Sequence, residues 1–583
     1  MDPSAKLRLD PARIRFPEEL ERIAEDTAVP GLDPSVTPGP SEPTRSVWAL
    51  SGGGAKGSFQ VGALLYVRRR LHHFRPVAVC STSVGSVNAL ALAEASDAGI
   101  YKMRDAWLGL SANADMYRAA SWIGEVERLP TFRGIDIVSM FSGDGESSIP
   151  LDLAPDLLGT VLSSLLLPGL FGYGVVAEAE QVEEDLRRAH TLIGEATSVF
   201  TLGPIREQLE HNVDVEAIGA AGTLMRLVSI ALEDGYRQYV TEDGDLIRVS
   251  PVHRQRHRLE GGDLKNLLID GALASAAIPG VFPPVVLQSR GMTFTSVDGG
   301  VRDVVPLNAA FDVIRHDLPE ATYAILAISA GPAGQVNPLH LVGPRQPAPD
   351  FTDANFIELA ARGVEIAIDE IHHNELSPLG SLPDDASVIY ITPLFPVHDS
   401  MTIDPGLLQI AIAYGYMSAF DEIARPGLGR EHSTAVLMTN WIAQARRRCW
   451  ELERTATFDP LPSRRGGSSA SRGVRPIPQW EEDVVRELRT LKRQIRDAVA
   501  SRAEMFGSDS IPSSADLSSA RAGNLNSVDD WWQEFERHAL PHGPERRRIV
   551  RTGNPFVRTY NPWQSLRLVD GGSVAPETPP AGI

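Results

Sequence analysis

Ser83 stands at the centre of Ser81-Thr82-Ser83-Val84-Gly85, between an apolar run ending at Cys80 and an Ala-, Leu- and Val-rich run from Val84 to Ala95. A serine held on a tight turn between a strand and a helix is a nucleophile elbow, written Gly-x-Ser-x-Gly because the positions two before and two after it must be small. Gly85 meets that demand. Ser81 takes the place of the first glycine, small enough for the turn but a source of strain. Ser86 is not a rival, because its outer positions would be Val84 and Asn88. The chemistry would be nucleophilic attack at a carbonyl, with the helix dipole favouring the alkoxide.

Such a serine needs donors for a developing oxyanion and a base. The stretch "LSGGGAKG" has glycines at 52, 53, 54 and 57. A phosphate-binding P-loop would put a lysine after the last glycine. Here Lys56 precedes Gly57. The spacing Gly52, Gly54, Gly57 fits the dinucleotide form, but that form expects an acidic residue at the end of the next strand. The next strand ends at Cys80 and continues "STSVGS". Bare N–H groups for an oxyanion are the better use of the loop. For the base, His316, His340, His372, His373 and His398 have no recognisable loop context. Asp298 is the stronger candidate, because it ends a strand and is followed by Gly299 and Gly300. A second Asp-Gly-Gly, at Asp570, lies beyond two linker-like stretches and reads as coincidence.

The elements that must position these residues are legible as apolar runs. Strands are expected at 47–51, 77–80, 227–232, 294–297, 323–329 and 388–392, and helices at 59–67, 84–95, 356–371 and 407–423. Alternating strands and helices indicate an α/β layered domain with a parallel sheet. Residues 1–45 read as an extended lead-in, 46–425 as the α/β domain with an apolar insertion at about 150–200, and 426–583 as an extension. Within that extension, 460–478 and 507–524 read as linkers. Between them Val484, Leu488, Leu491, Ile495 and Val499 form one apolar helix face, suited to docking on the body or to a short coiled coil.

Composition narrows the function classes. The chain has 583 residues and a net charge of -20. From Trp441 onward 22 Lys+Arg stand against 18 Asp+Glu, so the remainder carries -24. Such a body has no electrostatic footprint for nucleic acid. Two cysteines, Cys80 and Cys449, give neither a disulfide framework nor a zinc site. The N-terminus lacks an apolar core and a small-residue cleavage pattern, which reads as a cytoplasmic start without a signal peptide. Residues 157–177 carry no charge, yet Pro168, Gly169, Gly172 and Gly174 interrupt them. A buried segment, a lid or an interface-seeking segment fits them better than a membrane span.

Together these motifs resemble the patatin-like phospholipase family. The matching features are Gly52-Gly53-Gly54-Ala55-Lys56-Gly57, the elbow at Ser83, the strand-end Asp298-Gly299-Gly300, and "ALASAAIPGVFPPVVL" at 272–287 just before it. Order and spacing agree over about 46 to 310, and "IAYGYMSAF" fits the family's closing elements. The resemblance implies a layered fold with a central, mostly parallel sheet between helices, followed here by a mainly helical extension. It implies a Ser–Asp dyad without histidine: Ser83 as nucleophile, Asp298 as base, Gly52, Gly53 and Gly54 holding the oxyanion, and Lys56 ordering the loop or adding charge. Gly57, Ser81, Gly85, Gly299 and Gly300 would support these groups, with no cofactor and no metal. An aspartate near its free pKa of about 3.9 is a weak base, so partial burial or an orienting role is required.

The implied activity is that of a serine carboxylic-ester hydrolase acting on lipid acyl esters, of phospholipase A or lysophospholipase type. Transfer of the acyl group to another acceptor, or a catalytically silent scaffold, are the alternatives. In that setting 157–177 becomes a lid or a lipid-contacting cap, with Leu165, Leu166, Leu167, Leu170 and Phe171 toward acyl chains and the protein peripheral at a membrane. Head group, acyl position and oligomeric state are not legible.

Overall fold

The computed structural model describes residues 45–70, 75–132, 179–319, 323–332, 341–342, 386–424, 430–458 and 479–517. The stretch 157–177, the helix expected at 356–371, the linker 460–478, Asp570, His340, His372 and His373 lie outside the described residues.

The parallel core follows the apolar runs. Strand β1 (Ser46–Leu50) leads through the glycine loop into helix α1 (Gly57–Arg70). Strand β2 (Pro76–Thr82) leads through Ser83 into α2 (Val84–Ala93), followed by α3 (Asp97–Leu108). Strand β3 (Leu224–Ala231) opens an antiparallel arm of β4 (Arg237–Val240), β5 (Asp245–Val249) and β6 (Arg254–Arg258). After α4 (Leu264–Ser275) comes the hairpin β7 (Val285–Ser289) and β8 (Met292–Asp298), then α5 (Leu307–His316), β9 (Tyr323–Ile328) and β10 (Ala386–Ile391). Helices α6 (Pro405–Ala424), α7 (Arg430–Phe458) and α8 (Gln479–Phe506) close the described chain.

The ten strands form one sheet in the order β10-β9-β1-β2-β3-β4-β5-β6, with β8 on β3 and β7 on β8. The five strands from β10 to β3 are all parallel. All pairings of the arm and the hairpin are antiparallel. Every β1 residue is buried, as expected of a parallel strand covered on both faces. Val47, Ala49, Ala78, Cys80 and Ile325 pack on the α5 side with Leu307, Ala310 and Val313. Trp48, Leu50, Val79, Leu227 and Ile328 belong to the larger core built with α1, α2, α4 and α6.

The sequence reading found none of β4, β5 and β6, because their alternation is charged. Arg256 and Arg258 reach Asp245, and Arg254 reaches Asp312 and Asp317. A charged outer strand resists pairing with another chain.

The extension packs on the body. Leu491, Ile495 and Val499 of α8 are buried. The guanidinium of Arg502, fully buried, donates to Asp421 Oδ1 at 2.6 Å, the Ala435 carbonyl at 2.9 Å and the Ser510 carbonyl at 3.0 Å. This corrects the linker reading of 507–524: up to Leu517 the segment is packed, with Ser510 and Asp516 buried, because its carbonyl satisfies an arginine that could not otherwise be enclosed. No helix among the described residues is long and apolar enough to cross a membrane.

Candidate active site

Ser83 caps α2 with φ 53° and ψ -128°. A non-glycine residue there is strained, and such strain persists only where its surroundings hold it. Ser81 shows no such strain; it lies in β2 with its side chain buried. Its hydroxyl is 3.0 Å from Ser86 Oγ, and Ser86 Oγ donates to Ser275 Oγ at 2.8 Å, which leaves Ser81 as the donor to Ser86. Ser275 Oγ also accepts the Ser83 N–H at 2.9 Å and donates to the Val228 carbonyl at 2.5 Å. Three bonds thus run one way, from Ser81 through Ser86 and Ser275 to β3, and a fourth, from the Ser83 N–H to Ser275, pins the strained residue by its backbone.

Asp298 meets Ser83 through β3. On one edge of β3, β2 pairs as far as Thr82 opposite Val228. On that same edge β8 arrives from the opposite direction and stops with Asp298 opposite Ser229. The two strands therefore end head to head on consecutive residues of β3, whose Cα atoms are about 3.8 Å apart. The close turn is made possible by Gly299, where a Cβ would lie 2.5 Å from the Val228 carbonyl oxygen and 3.1 Å from Thr82 Cγ2. Asp298 is buried, its N–H donates to the Ala277 carbonyl at 2.9 Å, and its Oδ1 accepts the Gly300 N–H at 2.7 Å. Thr82 Oγ1 ties the turn further by donating to the Asp303 carbonyl at 2.8 Å.

The glycine loop reaches the same point, with its members divided in role. A Cβ on Gly52 would lie 3.1 Å from Ser83 Cβ and 3.8 Å from Ser83 Oγ. The Gly52 N–H, however, donates to the Val304 carbonyl at 3.0 Å and is spent there. This corrects the expectation that all three glycines offer an N–H: Gly52 supplies room. Gly53 (φ 149°) and Gly54 (φ 55°) adopt conformations that favour glycine, and neither N–H has an acceptor among the described residues. Gly54 sits against Ser400, whose carbonyl accepts the Ala55 N–H at 2.7 Å. Gly57 lies against Val84, and Gly85 against the Leu50 carbonyl, so both serve close packing of the elbow.

Lys56 lies beside Gly331 and close enough to His398 to disfavour its protonation. Burial is the larger cause, and together they push the His398 pKa down to about 4. His398 Nε2 is 3.4 Å from Ser58 Oγ, and Nδ1 is 2.8 Å from the Asp399 carbonyl. It braces the segment that carries Ser400. His316 is exposed, near Asp312. No cluster of three metal-ligating side chains occurs among the described residues. A mainly apolar pocket begins one turn beyond Ser83 along α2, lined by Val87, Leu90, Met103, Trp107, Leu209 and Val213, with Glu94 and Lys102 also on its wall.

Sequence reasoning missed Ser275. It lies in the quoted stretch 272–287, but a lone serine near the end of an alanine-rich helix has no local signature. Ser275→Ala would strand the Ser83 and Ser86 donors, and unsatisfied buried groups cost about 1–3 kcal/mol each. We expect a loss of roughly 2–4 kcal/mol in denaturant unfolding and a lower kcat with KM little changed. A variant destabilised but unaltered in kcat would separate this network from the elbow's function.

Residues 49–311 match the model of the patatin-like phospholipase family. No curated protein matches the chain. Among solved structures it is similar to VipD from Legionella pneumophila, 13% identical over 82% of this chain and 90% of that one, with a TM-score of 0.25. It is also similar to the full-length ExoU–SpcU complex from the type III secretion system of Pseudomonas aeruginosa, 12% identical over 88% of this chain and 84% of that one, with a TM-score of 0.18. These scores are too low to bear on the site, and the weight falls on the family match, which begins near the end of β1 and covers the glycine loop, the Ser83 elbow and the Asp298 turn in order. Over residues 49–311, then, this chain is similar to the patatin-like phospholipase family.

Proposed function

We propose that the protein hydrolyses acyl esters of phospholipids or lysophospholipids through a Ser83–Asp298 dyad. The observation that carries this reading is the head-to-head ending of β2 and β8 on β3, with Thr82 opposite Val228 and Asp298 opposite Ser229. Two strands from distant parts of the chain have no packing reason to end together on a strained serine and a buried aspartate.

In the reaction Ser83 Oγ attacks the ester carbonyl carbon while its proton passes to the Asp298 carboxylate. The carbonyl oxygen becomes an oxyanion, and the Gly53 and Gly54 N–H groups are its donors. Each such donor is worth roughly 10²–10³ in turnover. Collapse of the tetrahedral species breaks the bond to the alcohol, which leaves with the proton from Asp298. Water then attacks the acyl-Ser83 ester, again giving its proton to Asp298, and a fatty acid departs while Ser83 regains its proton. The mainly apolar pocket beside α2 supports the lipid reading, since its lining suits an acyl chain.

A serine-reactive fluorophosphonate is the direct test. The wild-type protein should be labelled and should release fatty acid from phosphatidylcholine or its lyso form. Ser83→Ala should lose both. Labelling that survives Ser83→Ala would assign the nucleophile elsewhere and overturn the reading.

A further inference from the structure

Seven large hydrophobic side chains are exposed among the described residues: Tyr101, Leu232, Val252, Val286, Met292, Val301 and Met505. Single exposed apolar residues are ordinary. Their distribution here is not, because five of the seven, Leu232, Val252, Val286, Met292 and Val301, belong to the antiparallel arm, the β7–β8 hairpin and the turn after Asp298. All five lie at the end of the sheet that carries Ser83. The β3–β4 turn, the β5–β6 turn and the β7–β8 hairpin all project from that end, since β3 is parallel to β2 and β8 descends onto its tip.

Contacts join these turns into one rim. Leu232 N–H donates to the Thr295 carbonyl at 2.9 Å, and Thr295 pairs with Val286. Arg302, next to Val301, donates to the Gly235 carbonyl at 2.5 Å. The Tyr236 ring meets His253 edge-on with centroids 5.9 Å apart, and His253 follows Val252, which is 90% exposed. Val301 is three residues from Asp298.

We propose that this rim docks the protein on a phospholipid bilayer, with Leu232, Val252 and Val286 inserted among the lipids and the Ser83 elbow turned toward them. The inference rests on the lipid-hydrolase reading, and it names the surface by which that site meets its substrate. The apolar tips protrude singly, separated by Thr293, Thr295 and Gln288. That pattern does not build the close-packed core that a stable protein interface needs, but a soft interface admits separate tips. Exposed Arg290 and Arg302 make no ion pair among the described residues, although the chain carries a net charge of -20. The acids of the rim are engaged: Glu233 accepts the Thr295 N–H, Glu260 the Arg290 N–H, and Asp234 pairs with Arg248. Arg290 is placed to reach lipid phosphates, and Arg302, held on the Gly235 carbonyl, keeps a second positive charge on the same rim.

Flotation of the full chain with phosphatidylcholine–phosphatidylglycerol vesicles tests the proposal. The Ser83→Ala protein should float, so that hydrolysis does not consume the vesicles. Adding Leu232→Ser, Val252→Asp and Val286→Ser together should lower the partition coefficient at least tenfold. The same triple change in the active protein should leave hydrolysis of a short-chain soluble ester unchanged. Removing the two exposed apolar side chains off the rim, by Tyr101→Ser with Met505→Ser, should not alter flotation.

Flotation unaffected by the triple change, or absent from the start, overturns the proposal. So does a triple change that abolishes self-association in light scattering while flotation persists, since the rim is then a contact between copies of the chain. A protein that floats through this rim but cleaves no ester sinks the hydrolase reading alone.

Discussion

Asp298→Asn should lower kcat on a soluble ester by about 10²–10⁴-fold, the range supplied by a positioned general base, and should leave the fold intact. The substitution keeps the shape of the side chain and the oxygen that accepts the Gly300 N–H at 2.7 Å, so the turn retains its internal bond. The backbone bond from the Asp298 N–H to the Ala277 carbonyl does not involve the side chain at all. On the proposed mechanism, what disappears is the negative charge and the ability to take the Ser83 proton. The loss should therefore appear in kcat, with KM and the unfolding midpoint close to wild type. Because Asp298 is buried, its charge acts in a medium of lower dielectric than water, which enlarges the effect of removing it. A rate within a few-fold of wild type would move the base elsewhere. His398 would not be the replacement, because its recorded side-chain contact is with Ser58 in α1 and burial already holds it neutral.

Much of this arrangement was legible in the sequence, for a local reason. Strands β1, β2, β3 and β9 are buried on both faces and so appear as unbroken apolar runs, and the elbow and the Asp-Gly-Gly turn each announce themselves within five residues. What is invisible is pairwise. Strands β4 to β6 read as polar because each Arg is matched by an Asp or Glu on another element, as in Arg254 with Asp317. The meeting of β2 and β8 on β3 depends on registers between residues 146 and 69 positions apart, Thr82 with Val228 and Asp298 with Ser229, which no local pattern encodes. Ser275 acquires its role only because α4 ends beside the elbow. The glycines show the same limit. Their cluster is visible, but only contacts reveal that Gly52 makes room, Gly53 and Gly54 present N–H groups, and Gly57 packs on Val84.

A glycine pair outside the Ser83 and Asp298 turns carries the largest expected effect on stability. Helices α1 and α6 cross at a reciprocal notch: a Cβ on Gly62 would lie 1.8 Å from the Ile412 carbonyl oxygen, and one on Gly415 would lie 1.9 Å from the Phe59 carbonyl oxygen. Propensity alone favours alanine over glycine within a helix by about 1 kcal/mol. Here sterics must win, because the obstacle is backbone in the opposite helix and no rotamer can relieve it. Gly415→Ala forces the helices apart, loosening the edge contacts of Phe59 with Tyr414 and of Tyr66 with Tyr416. We expect a loss of about 3 kcal/mol, the upper end for overpacking, or a fall in Tm of about 2–4 °C for a protein of this size. Activity should fall at temperatures where the variant is still folded, because α1 begins at Gly57 and fixes the glycine loop before it, the proposed source of the oxyanion donors. Gly124→Ala provides the contrast. It is the same change within a helix (Ser121–Arg128), but nothing lies within 4 Å of the added methyl, so stability should rise by up to about 1 kcal/mol. Opposite signs for these two variants would show that the crossing of α1 and α6 is set by contact between backbones; equal and small effects would mean that the notch does not position the loop.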